Sequence, residues 1–261
     1  MTSLRASILG IGFWGDGLPD WPAACAFVRD GSLPADPPRR PSPQLLAPNE
    51  RRRAPETVAI ALDVALAACT DAGADPATLP SVFAATHGEL GITDYMGTTL
   101  ASDPLAMSPT KFHNSVHNAA AGYWTIGAGC HAPATALSAW HGSFAQGLLE
   151  ALVQLADGAP AVLLAAYDGT APGPLADVAP STGLLGGALV LAREADGGAV
   201  LTATPEAGEA PAGSGALARR YAGNAMAPML PLFDALALGS PAQVMLDAGP
   251  GRILRLELAH G

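Results

Sequence analysis

The chain has 261 residues, 49% of them apolar, 14% charged and 5% aromatic; 13 basic against 23 acidic residues give a formal net charge of −10. That length and apolar content supply a full core, which excludes a disordered chain and a small disulfide-stapled one. The negative balance excludes ordinary nucleic-acid binding, because the basic clusters are only Arg39-Arg40 and Arg51-Arg52-Arg53.

No apolar run reaches the roughly 18 residues of a membrane helix. Met1 to Trp14 reads as an opening strand, not as a secretory leader. Cys25, Cys69 and Cys130 are scattered and form no CxxC pair, which fits a reducing, cytoplasmic compartment.

In chain order, Leu4 to Gly12 is a predicted strand, followed by a Pro-rich surface excursion from Pro34 to Pro48. Glu50 to Gly73 is a predicted helix, with Val58, Leu62, Ala65, Leu66 and Cys69 at helical spacing and Gly73 to end it. Ser81 to Thr86 is a strand and Ala119 to about Ala128 a helix of small residues. Thr135 to Ala139 is a strand, and a helix from about Gly142 to Ala156 closes at Asp157-Gly158. Strands follow at Ala161 to Tyr167, Leu184 to Ala192 and Val200 to Thr204, then a helix from Asn224 to Leu238 and strands at Val244 to Leu246 and Ile253 to Leu258. Alternating strands and helices indicate a layered α/β fold.

Gly10-Ile-Gly-Phe-Trp-Gly15 has GxGxxG spacing after a strand. A phosphate-binding loop should open a helix free of negative charge, whereas Asp16, Pro19, Asp20 and Pro22 follow here, so a dinucleotide site is not expected. The chain lacks a GxSxG elbow, which argues against an α/β-hydrolase. His113 and His117 are four apart and would share a helix face, but no acidic residue or cysteine joins them at ligand spacing; structural histidines are the better reading. Cys130 and His131 are adjacent, and adjacent side chains diverge, so they are weak evidence for a thiolate–imidazole pair. No metal and no cofactor is expected.

The stretch Asn118-Ala-Ala-Ala-Gly122, Ile126, Gly129, Ala132-Pro-Ala134, Thr135 to Ala139 and the helix closing at Gly158 resembles the N-terminal half of a β-ketoacyl synthase. Gly10-Ile-Gly12 resembles that family's first strand, and Leu184-Leu-Gly-Gly-Ala-Leu-Val-Leu191 resembles its later Gly-Ala-Leu-Val-Leu strand. More narrowly, Arg51-Arg-Arg53, Ala85-Thr-His-Gly-Glu89, Ser108-Pro-Thr110 and Ser115-Val-His-Asn118 resemble the ketosynthase-like chain length factors of aryl polyene pathways. The resemblance covers roughly residues 1–205, is most specific over 108–158 and is thin from 206 onward.

It implies a thiolase-like layered half-domain over 1–205, with 206–261 as a short C-terminal α/β extension completing the layer. In the family's active members the nucleophilic cysteine stands eight residues after the proline of Gly-Pro-Ser; the same step from Pro133 arrives at His141, and Gly158 lies 17 residues beyond it. Cys130 falls before the strand. The family's catalytic histidines and lysine come from its C-terminal half, and beyond His141 this chain has His260 and no lysine. The resemblance therefore implies a catalytically silent subunit. It would pair with a full-length ketosynthase through Thr135, Leu137 and Ala139, wall its acyl tunnel with Thr110, Phe112 and Val116, and work on chains held by an acyl carrier protein that meets Arg51, Arg52 and Arg53 or the partner. Ordinary core packing is the competing reading for Phe112 and Val116. A homodimer remains open for the chain by itself, as do an acyltransferase or thioesterase using His141 or Cys130 and a purely stabilising subunit.

Overall fold

A computed structural model describes residues 3–193 and 198–260. Strand β1 (Leu4–Gly15) is followed by α1 (Trp21–Asp30), the short α2 (Pro48–Arg51) and α3 (Glu56–Asp71). Then come β2 (Ser81–Ala84), α4 (Leu90–Ser102), α5 (Pro109–His113), α6 (Ala119–Ala128), β3 (Ala134–Leu137) and α7 (Ser143–Ala156). The second half contains β4 (Ala161–Asp168), α8 (Leu175–Val178), β5 (Leu185–Ala192), β6 (Ala199–Ala207), α9 (Ala216–Arg220), α10 (Leu230–Leu238), β7 (Ala242–Asp247) and β8 (Arg252–His260).

All eight strands form one mixed sheet of order β3-β2-β4-β5-β1-β6-β8-β7. Strand β2 pairs in parallel with β3 and β4, and the remaining neighbours are antiparallel. Residues alternate between two cores with the period of a strand. Along β4, Val162, Leu164 and Ala166 face α7 in a core shared with α10, while Leu163, Ala165 and Tyr167 face α3 in a core shared with α6. Strand β6 runs through residue 205 and pairs along its length with β8, so the C-terminal strands extend the same sheet. Their apolar residues Val244, Leu246, Leu254, Leu256 and Leu258 join the core that holds Phe144 of α7 and Phe233 of α10.

The glycine run is not a loop. Strand β1 continues to Gly15, and its glycines are a packing slot for α3. A Cβ on Gly12 would lie 2.0 Å from the Val64 carbonyl oxygen, and one on Gly10 would lie 2.3 Å from that of Ala68. The residues after it do open a helix: Asp20 caps α1 by accepting the Ala23 N–H at 2.8 Å, and Pro22 sits in its first turn. The single helix expected over Glu50–Gly73 is two, because Pro55 disfavours helical backbone at Ala54 and supplies no N–H. Helix α4 is a further helix that apolar periodicity does not announce; Glu89 caps it by accepting the Gly91 N–H. The helix expected over Asn224–Leu238 becomes a short 3-10 turn at Ala227–Met229 and then α10, a break that falls between Pro228 and Pro231.

Candidate functional site

The site is the strand–turn–helix elbow between β3 and α7. After Leu137 the chain turns through Ser138–Gly142, and Trp140 has φ 54°, the only positive φ among the described non-glycine residues. Two side chains hold that turn. Ser143 Oγ donates to the Trp140 carbonyl at 2.6 Å and accepts the Ala139 N–H at 2.9 Å; Ser138 Oγ donates to the Thr86 carbonyl at 2.9 Å. Gly142 is pressed beneath the β7–β8 turn, where a Cβ would lie 2.9 Å from the Ala248 carbonyl carbon. Gln146 of α7 donates to the Ala248 carbonyl at 2.8 Å, so the C-terminal strands are tied across the elbow.

The loop after β2 supplies the other wall. Its backbone is held by Asp168, a carboxylate 1% exposed at the end of β4. Burial pushes Asp168 up to about 6, against the lowering effect of the N–H groups it accepts from Thr86 and His87. Asn224 donates to the carbonyls of Thr182 and Gly183 at 3.2 and 3.0 Å, which fixes the segment behind this carboxylate. The His87 ring meets the Trp140 ring edge-on at 5.3 Å, and Trp140 meets His141 at 5.3 Å. Burial, then the neighbouring His141, hold His87 below the usual histidine range. His141 is exposed and lines a 520 Å³ cavity whose other walls include Asn224, Ala225, Pro228, Met245 and Asp247.

The remaining residues singled out in the sequence fall apart into separate places. Cys130 is buried, its thiol donating to the Leu79 carbonyl at 3.5 Å. His113 ends α5, while His117 lies beyond it and bonds the Ala85 carbonyl at 3.0 Å; they share no helix face. Arg51 donates to the Leu46 carbonyl, whereas Arg52 and Arg53 are exposed. Thr110, Phe112 and Val116 are all exposed, so core packing is not what holds the latter two. Val116 lines a 390 Å³ groove with Leu46, His113, Tyr123 and Ile126.

Strand β3 is a sheet edge: it pairs with β2 on one side, and no described strand pairs with the other. The expected strand Thr135–Ala139 ends at Leu137, because the turn held by Ser138 and Ser143 begins there; Thr135 and Leu137 of β3 and Ala139 of the turn are half-buried, between α6, which leaves Ile126 83% exposed, and α7, which leaves Val153 exposed. Trp140 and Asp168 are not among the sequence candidates, and His87 stands there only within the Ala85–Glu89 resemblance, with no role of its own. Asp168 carried a signal, a charge ending an otherwise apolar strand; Trp140 carried none, because its distinguishing feature is backbone conformation.

A mixed sheet between helical layers, with a tight elbow leading from an edge strand into a buried helix, is the thiolase-like fold of ketosynthases and their chain length factors. The model of the family described as "Beta-ketoacyl synthase, N-terminal domain" matches residues 26–221, and the chain belongs to that family. A solved ketosynthase (ApeO) in complex with its chain length factor (ApeC) from Xenorhabdus doucetiae is similar over 97% of this chain and 99% of that one, with TM-score 0.75 and 23% identity. The ishigamide ketosynthase/chain length factor is similar with TM-score 0.72 and 17% identity, over 98% and 99%. A type II polyketide acyl-carrier protein complex with its ketosynthase, AntDE:AntF, is similar with TM-score 0.73 and 12% identity, over the whole of both chains. No curated protein matches. Among the described residues, no helix is long and apolar enough to cross a membrane.

Proposed function

We propose that this chain is a non-catalytic chain-length-factor subunit that pairs with a full-length β-ketoacyl-carrier-protein synthase and helps shape its acyl tunnel, in aryl polyene or related polyketide elongation. The observation that carries the reading is an open, apolar-rimmed edge strand running straight into an elbow that holds Trp140 and His141 and no thiol. Condensation by covalent acyl transfer requires a nucleophile at that turn.

In this reading β3, with Thr135 and Leu137, continues the sheet into the partner, and Ala139 of the following turn lies at the same seam. Thr110, Phe112 and Val116 border the growing chain, and exposed Arg52 and Arg53, with Arg51 behind them, meet the acidic carrier protein. Within residues 206–260, the β7–β8 turn braces the elbow from behind through Ala248. The similar structures whose titles name a chain length factor support this reading at the level of fold.

The test is co-expression with a neighbouring full-length ketosynthase, followed by size exclusion with mass determination. A one-to-one complex is expected; a well-behaved monomer or homodimer that ignores the ketosynthase overturns it. One observation favours a second reading, acyl transfer by the chain itself: the exposed His141 opens on a 520 Å³ cavity. A covalent acyl adduct on the purified chain, lost in His141→Ala, is its test. Cys130, buried against Leu79, has no comparable access.

A further inference from the structure

The sequence count places the reactive position of the elbow at His141, whereas the one strained backbone angle among the described non-glycine residues lies one residue earlier, at Trp140. Left-handed backbone at a tryptophan is strained and persists only where surrounding contacts impose it. Those contacts are present: the Trp140 carbonyl is held by Ser143, the preceding N–H by the same hydroxyl, and Gly142 is clamped under Ala248. The indole does little for the fold in return, since it is half-exposed and packs on two imidazoles instead of on the core. In α/β-hydrolases, an unrelated fold, the nucleophile is presented by a strained residue in a strand-to-helix turn, and the strain of this strand-to-helix turn falls on Trp140. His141 lacks that geometry, and its φ is not in the left-handed region.

We propose that Trp140 occupies the reactive position of the elbow, and that its indole closes a place flanked by His87 and His141 that would otherwise accept a thiol and its acyl group. This rests on reading the chain as a silent subunit and adds the residue responsible for the silence. His87 and His141 are then positioning residues left on either side of the closed place. Asp168 fixes one of them through the His87 N–H.

The experiment compares the full-length wild type, Trp140→Cys and His141→Cys. Each is alkylated with iodoacetamide across pH 5–9, with mass spectrometry locating the modified cysteine; the wild type sets the background from Cys25, Cys69 and Cys130. The Trp140→Cys thiol is expected to react at least about 10-fold faster at pH 7 than the His141→Cys thiol, with its rate half-maximal below the ~8.5 of a free cysteine. It is also expected to take one octanoyl group from S-octanoyl-N-acetylcysteamine: the thiolate attacks the thioester carbonyl, a new C–S bond forms, and N-acetylcysteamine leaves and takes up a proton.

An equal or faster His141→Cys, or no octanoyl adduct on Trp140→Cys, overturns the proposal. If Trp140→Cys does not fold, Trp140→Gly and Trp140→Ala decide it. The glycine variant should unfold at the higher denaturant concentration, because only glycine takes φ 54° without strain; equal midpoints overturn the strained assignment. None of these readouts uses a partner subunit, so failure of the heterodimer and failure of this assignment are separately visible.

Discussion

The Asp168 carboxylate accepts the backbone N–H of Thr86 at 2.9 Å and of His87 at 3.1 Å, joining the end of β4 to the loop that carries His87 against Trp140. Two N–H groups on one buried carboxylate make this contact both a structural tie and a positioning device. Asp168→Asn keeps one acceptor and turns an NH₂ group on the other N–H. It should destabilise the chain by about 1–3 kcal/mol, read from urea midpoints. It should also shift the ring resonances of His87 in the folded protein. An unchanged midpoint with unchanged His87 resonances would show that the tie carries no weight.

Asp63 gives the pH prediction. Burial pushes it up to about 6, with the Ser42 N–H and Arg51 pulling the other way. Between its ordinary value and about 6 the folded chain therefore holds a proton that the unfolded chain has released. Stability from this group is present at low pH and lost as pH rises through about 6. Asp63→Asn keeps an acceptor for Ser42 and removes the buried charge, so it should raise stability by about 1–3 kcal/mol at pH 7.5 and change little at pH 4. Denaturant midpoints at the two pH values check the sign. His87 works oppositely: its lowered value makes the unfolded chain the stronger proton binder, so its contribution rises with pH towards the ordinary histidine range.

Gly12 tests what the glycine-rich strand is for. If Gly10 and Gly12 exist to let α3 approach β1, Gly12→Ala forces a methyl group against the Val64 carbonyl and should cost at least about 3 kcal/mol. Thermal unfolding by circular dichroism reads this directly. A nucleotide-dependent rise in the melting temperature of the wild type would contradict the packing account.

Ile126 separates association from folding. It is 83% exposed on α6 beside the β3 edge, so Ile126→Glu should alter chain stability by no more than about 0.5 kcal/mol. In co-expression it should abolish or greatly weaken the complex with a ketosynthase. A complex of unchanged yield would move the interface elsewhere.

Phe112 carries the tunnel prediction. It is exposed on α5, free of the core, so Phe112→Ala should leave the fold intact and lengthen the products of the assembled complex. Unchanged product length with an intact complex would remove Phe112 from the tunnel wall.

What the sequence by itself determined was the layered class and nearly every strand, because buried strands here are uninterrupted apolar runs and one-dimensional patterns expose them. Strand β4 and the core helix α7 were legible within a residue or so for that reason. It also showed that no cysteine stands within the elbow. The structure decided what depends on close approach between distant segments. The glycines of β1 are spacers only because Val64 and Ala68 lie opposite them. Asp168 matters only because Thr86 and His87 return to it across 82 and 81 residues. The strain in the elbow was not legible, because φ at Trp140 is imposed by Ser143, Gly142 and the β7–β8 turn together, and no local preference of tryptophan announces it.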